Sequence, residues 1–497
     1  MSSPREYSQP TAFSSFVLLA LFLPSVIASA TPSISLSKKS GPPTSRILVS
    51  GRGFEANVGV DIFFDTKDEA LVVTNSEGEF HNAGAYAPRN AHPGKHWVTA
   101  LERNNDKGAQ EPFLVRTNWS EFHFDADGTR LNPYENVLSR RTVRSIGVKW
   151  SYTTGDLVTS SPAVANGVVY VGSWDGNLYA LNTNTGAKLW TYPTGFIVSS
   201  SPAVTNGTVY LGSENGTVYA LDASTGVTLW SFVIGYSVSS SPAVANGVVY
   251  VGASTNVYAL NAHTGALLWS YTTGASVDSS PAVANGVVYV GSGDKNVYAL
   301  DASTGAKLWS YTTSGELQSS PAVANGVVYV SGGYLGSSIQ ALNANTGALL
   351  WIYTTRDYAD SSPAVANGVV YVGSNDGNVY ALDASSGALS WSYSTGGHVE
   401  SSPAVANGVV YVGSWDLKVY ALDARTGSLL WSYTTGQSQY GVVSSPAVAD
   451  GRVYVGADDR NVYAFGQTRC QVEHGADSNR PDLKTLRPDF NLKANDN

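Results

Sequence analysis

Residues 279–313 read SSPAVANGVVYVGSGDKNVYALDASTGAKLWSYTT. Four runs in this stretch have strand character: 279–284, 287–291, 296–301 and 306–311. They are rich in Val, Tyr and Trp and are separated by Gly, Asn, Asp and Ser punctuation. Asn285-Gly286 joins the first two, and both residues accept the positive φ that a tight hairpin needs. Pro281 stands near the start of its strand, where a missing N–H is least costly. The pentapeptide Ser-Ser-Pro-Ala-Val recurs eight times, centred on Pro162, Pro202, Pro242, Pro281, Pro321, Pro363, Pro403 and Pro446, with 39 to 43 residues between copies. A period near 40 with four short strands per unit is the signature of a β-propeller.

Counting the fourth strands shows how the ring closes. Trp190, Trp230, Trp269, Trp309, Trp351, Trp391 and Trp431 follow the first seven repeats, whereas the eighth ends at residues 461–465 with no Trp strand. The missing strand lies upstream, in Val148-Lys149-Trp150-Ser151-Tyr152. An N-terminal strand that completes the last blade removes an open sheet edge. The fold class is therefore all-β: an eight-bladed propeller over 146–466 with an N-terminal strand clasp, plus a small N-terminal β-sandwich.

Residues 299–309, ALDASTGAKLW, follow the pattern A-x-D-x-x-T-G-x-x-x-W. Asp and Thr close the turn, Gly supplies a left-handed residue, and Trp offers a flat apolar surface to the next blade. With this motif the chain resembles the tryptophan-docked propellers of the pyrroloquinoline quinone (PQQ) repeat family. That family includes quinoprotein alcohol dehydrogenases and the propeller lipoprotein of the outer-membrane barrel-assembly machinery. The resemblance spans residues 145–466 and speaks for architecture more than for activity. It implies structural docking by Trp150, Trp190, Trp230, Trp269, Trp309, Trp351, Trp391 and Trp431.

Residues 1–30 read as a secretory signal peptide, with an apolar core at 16–27 and a small-residue cleavage site at Ala28-Ser29-Ala30. Cleavage would leave no membrane span. Residues 31–117 alternate short β-runs (58–64, 96–101, 113–115) with Gly, Pro and Asn turns. Gly51-Arg52-Gly53-Phe54 and the following Val58–Ile62 run resemble a bacterial immunoglobulin-like domain. Residues 118–145 read as a linker and 467–497 as a disordered tail. The tail holds the one cysteine, Cys470, so no internal disulfide or cysteine metal cluster can form.

The loops sort by face. First–second and third–fourth turns share one face and are nearly uniform. Second–third and blade-to-blade loops share the other and vary. The variable face carries thirteen acidic residues against four basic ones, Lys295, Arg356, Lys418 and Arg460, which accounts for the net charge of −9 of the whole chain. Such a face repels nucleic acid and favours cations or basic partners. Immediately before each Ser-Ser-Pro stand Thr159, Ser199, Ser239, Asp278, Gln318, Asp360, Glu400 and Val443. Asp278, Gln318, Asp360 and Glu400 are expected to form a polar, ligand-binding arc at the channel mouth. Oxygen ligands of this kind suit Ca²⁺, but solvated carboxylates around a wet channel explain them as well, and no metal is assigned. Partner-binding loops are expected at Asp156, Trp174, Glu316, Tyr334, Asp357 and Trp415, whose indoles either stack on a ligand or pack on a neighbouring loop.

The family resemblance would imply, for a dehydrogenase, a Glu/Asn/Asp calcium site, a catalytic Asp, an indole under the quinone and, in the alcohol-oxidising branch, adjacent cysteines. The last cannot exist with one Cys, and nothing else maps residue by residue except the Trp motif. No catalytic residue is assigned, and PQQ and calcium have no site residues behind them. The reading is a secreted or cell-surface, non-catalytic scaffold that binds a protein, cation or cell-envelope glycan through its acidic face. A PQQ/Ca²⁺-dependent dehydrogenase and an envelope-assembly factor stand as alternatives. Oligomeric state has no sequence signal.

Overall fold

The computed structural model describes residues 31–332, 337–468 and 480–486. The leader 1–30, Tyr334 and Cys470 lie outside the described residues. The propeller has eight four-stranded sheets, each an antiparallel meander, and one of them gains a fifth strand. In blade four the strands are Ala282–Ala284, Val287–Gly291, Asn296–Asp301 and Lys307–Thr312. Their register runs Ala282↔Tyr289, Val287↔Asp301 and Asn296↔Thr312. The Asn-Gly hairpin adopts its expected left-handed pair, with φ of 51° at Asn285 and 79° at Gly286.

Blades stack face to face, so the second and third strands are buried on both sides while the fourth alternates. Each core is shared across a junction. Tyr250, Val257 and Trp269 of blade three, for example, pack with Val283, Val288, Val290 and Leu300 of blade four. Trp269 Nε1–H donates to the carbonyl of Ala302 at 3.0 Å. Gly305 has a φ of 73°, and a Cβ there would lie 2.6 Å from the Trp269 ring. The Thr-Gly turn is thus shaped by both backbone and indole.

Ile146–Thr153 pairs antiparallel with Asn461–Gln467, from Ile146↔Gln467 to Thr153↔Asn461, and completes the eighth blade. Trp150 then donates to Thr183 O of blade one at 2.8 Å. Trp431 donates to Ile146 O at 3.0 Å, so the clasp strand is bonded on both sides of the closing junction.

The first strand is shorter than its sequence suggests: it covers Ala282–Ala284, and Ser279, Ser280 and Pro281 stand outside it. Their polar groups are used between blades instead. The second serine of each repeat donates its N–H to the hydroxyl of the next: Ser161 to Ser201, then Ser241, Ser280, Ser320, Ser362, Ser402, Ser445 and back to Ser161, all at 2.9–3.0 Å. The first serine braces its own blade, as where Ser279 Oγ accepts from Gly291 N at 3.1 Å. A proline next in line has no donor to leave unsatisfied.

Residues 118–145, expected as a linker, are built into the ring. The inner edge of every first strand would present unpaired groups to the channel. Trp119 pairs with Val164 in both directions, at 2.8 and 2.7 Å. The carbonyls of Ser120, Ala126, Asp127, Thr129 and Arg130 accept from the N–H groups of Val204, Val283, Val323, Val365 and Val405 at 2.6–2.9 Å. The Glu121 carboxyl accepts from Val244 N–H, and Asn132 Nδ2 donates to Val448 O at 2.7 Å. Every blade is touched in turn, and Leu131–Asn132 adds the fifth strand to blade seven. The segment plugs the channel at its uniform-loop end. Arg130 is fully buried, with Nε on Pro403 O at 3.0 Å and its guanidinium over the Phe122 ring.

The N-terminal unit is a two-sheet sandwich. One sheet orders Ser33–Leu36, Arg46–Arg52 and Phe80–Tyr86; the other orders Ser40–Gly41, Gly108–Val115, Gly94–Glu102, Gly59–Phe64 and Lys67–Val73. Ile47, Ile62, Phe64, Val98 and Phe113 fill the space between them. Part of the tail expected to be disordered lies on this unit: Leu486 packs with Phe63 and Leu101, and Pro481 O accepts from Gln110 Nε2 at 2.9 Å. Among the described residues no helix is long and apolar enough to cross a membrane.

Candidate functional site

With one end plugged, the variable-loop end of the channel is the accessible mouth. Its rim follows a simple rule in blades one, two and six. The residue before Ser-Ser-Pro faces a residue of the second–third loop of the same blade. Trp174 Nε1 donates to Thr159 Oγ1 at 2.9 Å, Ser199 Oγ to Glu214 at 2.9 Å, and Asn375 Nδ2 to Asp360 at 3.1 Å.

The expected arc divides in two. Asp278 and Gln318 are exposed, and Asp278 accepts from Ser239 of the preceding blade at 3.3 Å. Asp360 and Glu400 are half-buried. They are joined by a residue not placed in the arc by the sequence, Asp458. The rule gives Asp458 the partner Val443, which has nothing to donate. Asp458 is 4% exposed, and neither carboxyl oxygen has a hydrogen-bond partner among the described residues. Burial pushes its carboxyl up to about 6, with repulsion from Asp459 adding to the shift. Burial also raises Glu400, reinforced by Asp360 and Asp458 and opposed by the Trp415 indole. Asp360 is raised by burial, against its bond from Asn375.

These shifts fix a pH dependence. A carboxyl raised in the folded state opposes folding once it ionises, and the penalty vanishes as pH falls through the folded value toward the unfolded one. Asp458→Asn is expected to stabilise the protein by about 1–2 kcal/mol at pH 7.5. The gain should shrink toward zero at pH 4.5. Parallel thermal melts across that range check it, and a pH-independent difference would contradict it.

The loop residues are less uniform than a single acidic surface. Asp175, Asp294, Asp376, Asp416 and Asp459 have structural work. Asp294, for instance, accepts from Gly274 N at 2.7 Å, Asn296 N at 2.9 Å and Tyr298 OH at 2.6 Å. Each such Asp precedes a Tyr by four positions, a signal that marks hairpin bracing. Asp156, Glu316 and Asp357 are half-buried on the same face. Trp415 packs edge-on between His398 and Tyr440, at 4.9 and 5.2 Å, whereas Trp174 stays 38% exposed. Trp150, Trp190, Trp230, Trp269, Trp309, Trp351, Trp391 and Trp431 each donate Nε1–H to a carbonyl of the next blade, at 2.8–3.1 Å.

Asn375, the amide beside the carboxyls, donates Nδ2 to Asp360, and its Oδ1 has no hydrogen-bond partner among the described residues. Among the described residues no three His, Cys, Asp or Glu side chains are placed to hold a metal ion.

No curated protein matches the sequence. Solved structures share its fold at low identity. The quinohemoprotein alcohol dehydrogenase from Comamonas testosteroni aligns with a TM-score of 0.62 and 18% identity, over 71% of this chain and 81% of that one. BamB from Moraxella catarrhalis aligns with a TM-score of 0.56 and 19% identity, over 65% and 99%. The computationally designed Ika8 protein aligns with a TM-score of 0.57 and 21% identity, over 63% and 97%. At these identities the likeness is one of fold. The sequence itself matches the PQQ_2 family, described as outer membrane protein assembly factor BamB, at residues 144–277, 253–358, 335–465 and 404–491, and to that family of β-propellers the chain belongs.

Proposed function

We propose that the protein is a secreted or cell-surface, non-catalytic scaffold whose acidic channel mouth and surrounding loops bind a basic protein partner. The observation that carries this reading is the like-charged group of buried Asp458 and half-buried Asp360 and Glu400 at the accessible end of the channel. Mutual repulsion there is relieved by an incoming cation, and a lysine or arginine side chain supplies one. The same charge disfavours nucleic acid. In this reading the leader directs export, the sandwich is an immunoglobulin-like presenter, and the tryptophan-docked blades are a rigid platform. Assembly of outer membrane proteins, the role in the family's description, is the second reading, and it also rests on protein binding.

The test is calorimetric titration with a lysine-rich peptide. Replacing Asp278, Asp360 and Glu400 together by Lys is expected to weaken binding by about a hundredfold while the far-ultraviolet spectrum stays unchanged. Undiminished binding would remove the acidic face from the proposal.

A further inference from the structure

The opposite face carries a site of opposite sign. After Asn132 the chain runs over blades seven and eight as a strap, and it is held rigidly. Glu135 accepts from Val137 N at 2.7 Å, Leu138 N at 2.8 Å and Gly451 N at 3.1 Å. Ser139 N donates to Thr142 Oγ1 at 2.8 Å, and that hydroxyl donates to Val137 O at 2.7 Å. Leu138 and Val143 are fully buried beneath it. Between these anchors Arg140 and Arg141 are exposed.

They overhang a groove of about 700 Å³ between blades six and seven, floored by Tyr371 and the hairpin residues Asn367 and Asn407. Arg425 also lines it. The corresponding turn position in the other repeats is Asn184, Ser224, His263, Ser303, Asn345 and Ser385, so this arginine is particular to one blade. Of these three guanidinium groups Arg140 contacts a carboxylate, Asp423, at 3.4 Å. Asp423 is already occupied by the N–H groups of Arg425 and Thr426. Arg141 and Arg425 have no side-chain partner among the described residues. In a chain of net charge −9, arginines gathered on a pinned backbone around a concavity form a preorganised oxyanion receptor.

We propose that this groove binds a small, soluble polyanion bearing two or more phosphoryl or carboxylate groups. Planar guanidinium forks match such oxyanions two bonds at a time, and the apolar sides of Val369 and Ala424 accommodate a short carbon frame. The site is on the face away from the acidic mouth and does not depend on what the mouth binds.

Titration of the full chain with pyrophosphate and with citrate at low ionic strength tests it. Both are expected to bind at one site, and added salt should weaken them. Arg425→Gln should cost about tenfold in affinity and the Arg141→Gln/Arg425→Gln pair about a hundredfold, with an unchanged melting temperature. Arg144→Gln, which removes an exposed charge outside the groove, should leave both affinities as they were. The proposal fails if neither probe binds, if the double variant binds as tightly as the parent, or if Arg144→Gln loses as much as Arg425→Gln. Binding only to vesicles of phosphatidylcholine mixed with phosphatidylglycerol would likewise overturn it in favour of a lipid surface.

Discussion

Removal of residues 146–153 is expected to cost the protein its cooperative fold at 37 °C. The strand contributes the buried side chains of Ile146 and Trp150 and a ladder along the whole of Asn461–Gln467. Loss of a buried tryptophan alone costs about 3–5 kcal/mol, and ladder hydrogen bonds contribute about 1 kcal/mol each. Phe465, fully buried, would be uncovered, and Trp431 would lose its acceptor. Together these rival the entire stability of an ordinary domain, about 5–15 kcal/mol. The truncated chain should melt well below the parent, and its free edge should drive self-association visible by size-exclusion chromatography. A monomer with an unchanged calorimetric transition would mean that the eighth blade does not need this strand.

The second large effect is expected in the plug. Trp119 is 1% exposed and packs edge-on against Phe124 with ring centroids 5.3 Å apart. Trp119→Ala should destabilise by about 3–5 kcal/mol. The damage should be local before it is global: amide exchange at Val164 and Val204, whose partners are Trp119 and Ser120, should accelerate more than exchange in the middle strands. Trp119→Phe, which keeps an aromatic contact, should recover part of both. Uniform acceleration across all blades would instead make the plug inseparable from the ring.

The blades were legible because their chemistry is repeated. The Asn-Gly hairpins, the Trp count and the Trp strand missing from the eighth repeat each translate into one geometric statement, and the clasp follows from counting. The plug was not legible, because residues 118–145 occur once and carry no periodicity, and their backbone groups find partners only when eight strand edges converge. The serine pair looked like the beginning of a strand because its neighbours are strand formers, whereas its hydrogen bonds run sideways to the next repeat. Asp360 and Glu400 were visible as polar residues at a repeated position. Asp458 was not, since its burial depends on a loop residue meeting Val443 rather than a donor. The pairing of the pre-serine and loop positions, readable in Trp174–Thr159 and Asn375–Asp360, would have exposed the mismatch. The arginine groove needed the path of the strap, for Arg140 and Arg425 are 285 positions apart.

Near-identical repeats raise a problem of arithmetic. A blade that fits any copy of itself contains no instruction about how many copies the ring should hold, and the serine circuit would close as readily with one member more or fewer. The plug is different along its length: Trp119 meets the first blade, Asp127 the fifth and Asn132 the eighth. It acts as a gauge laid around the inner circumference, matched to one copy number only. Insertion or loss of a repeat by recombination would leave every junction intact and still throw this gauge out of step, so the non-repetitive segment guards the length of the repetitive one.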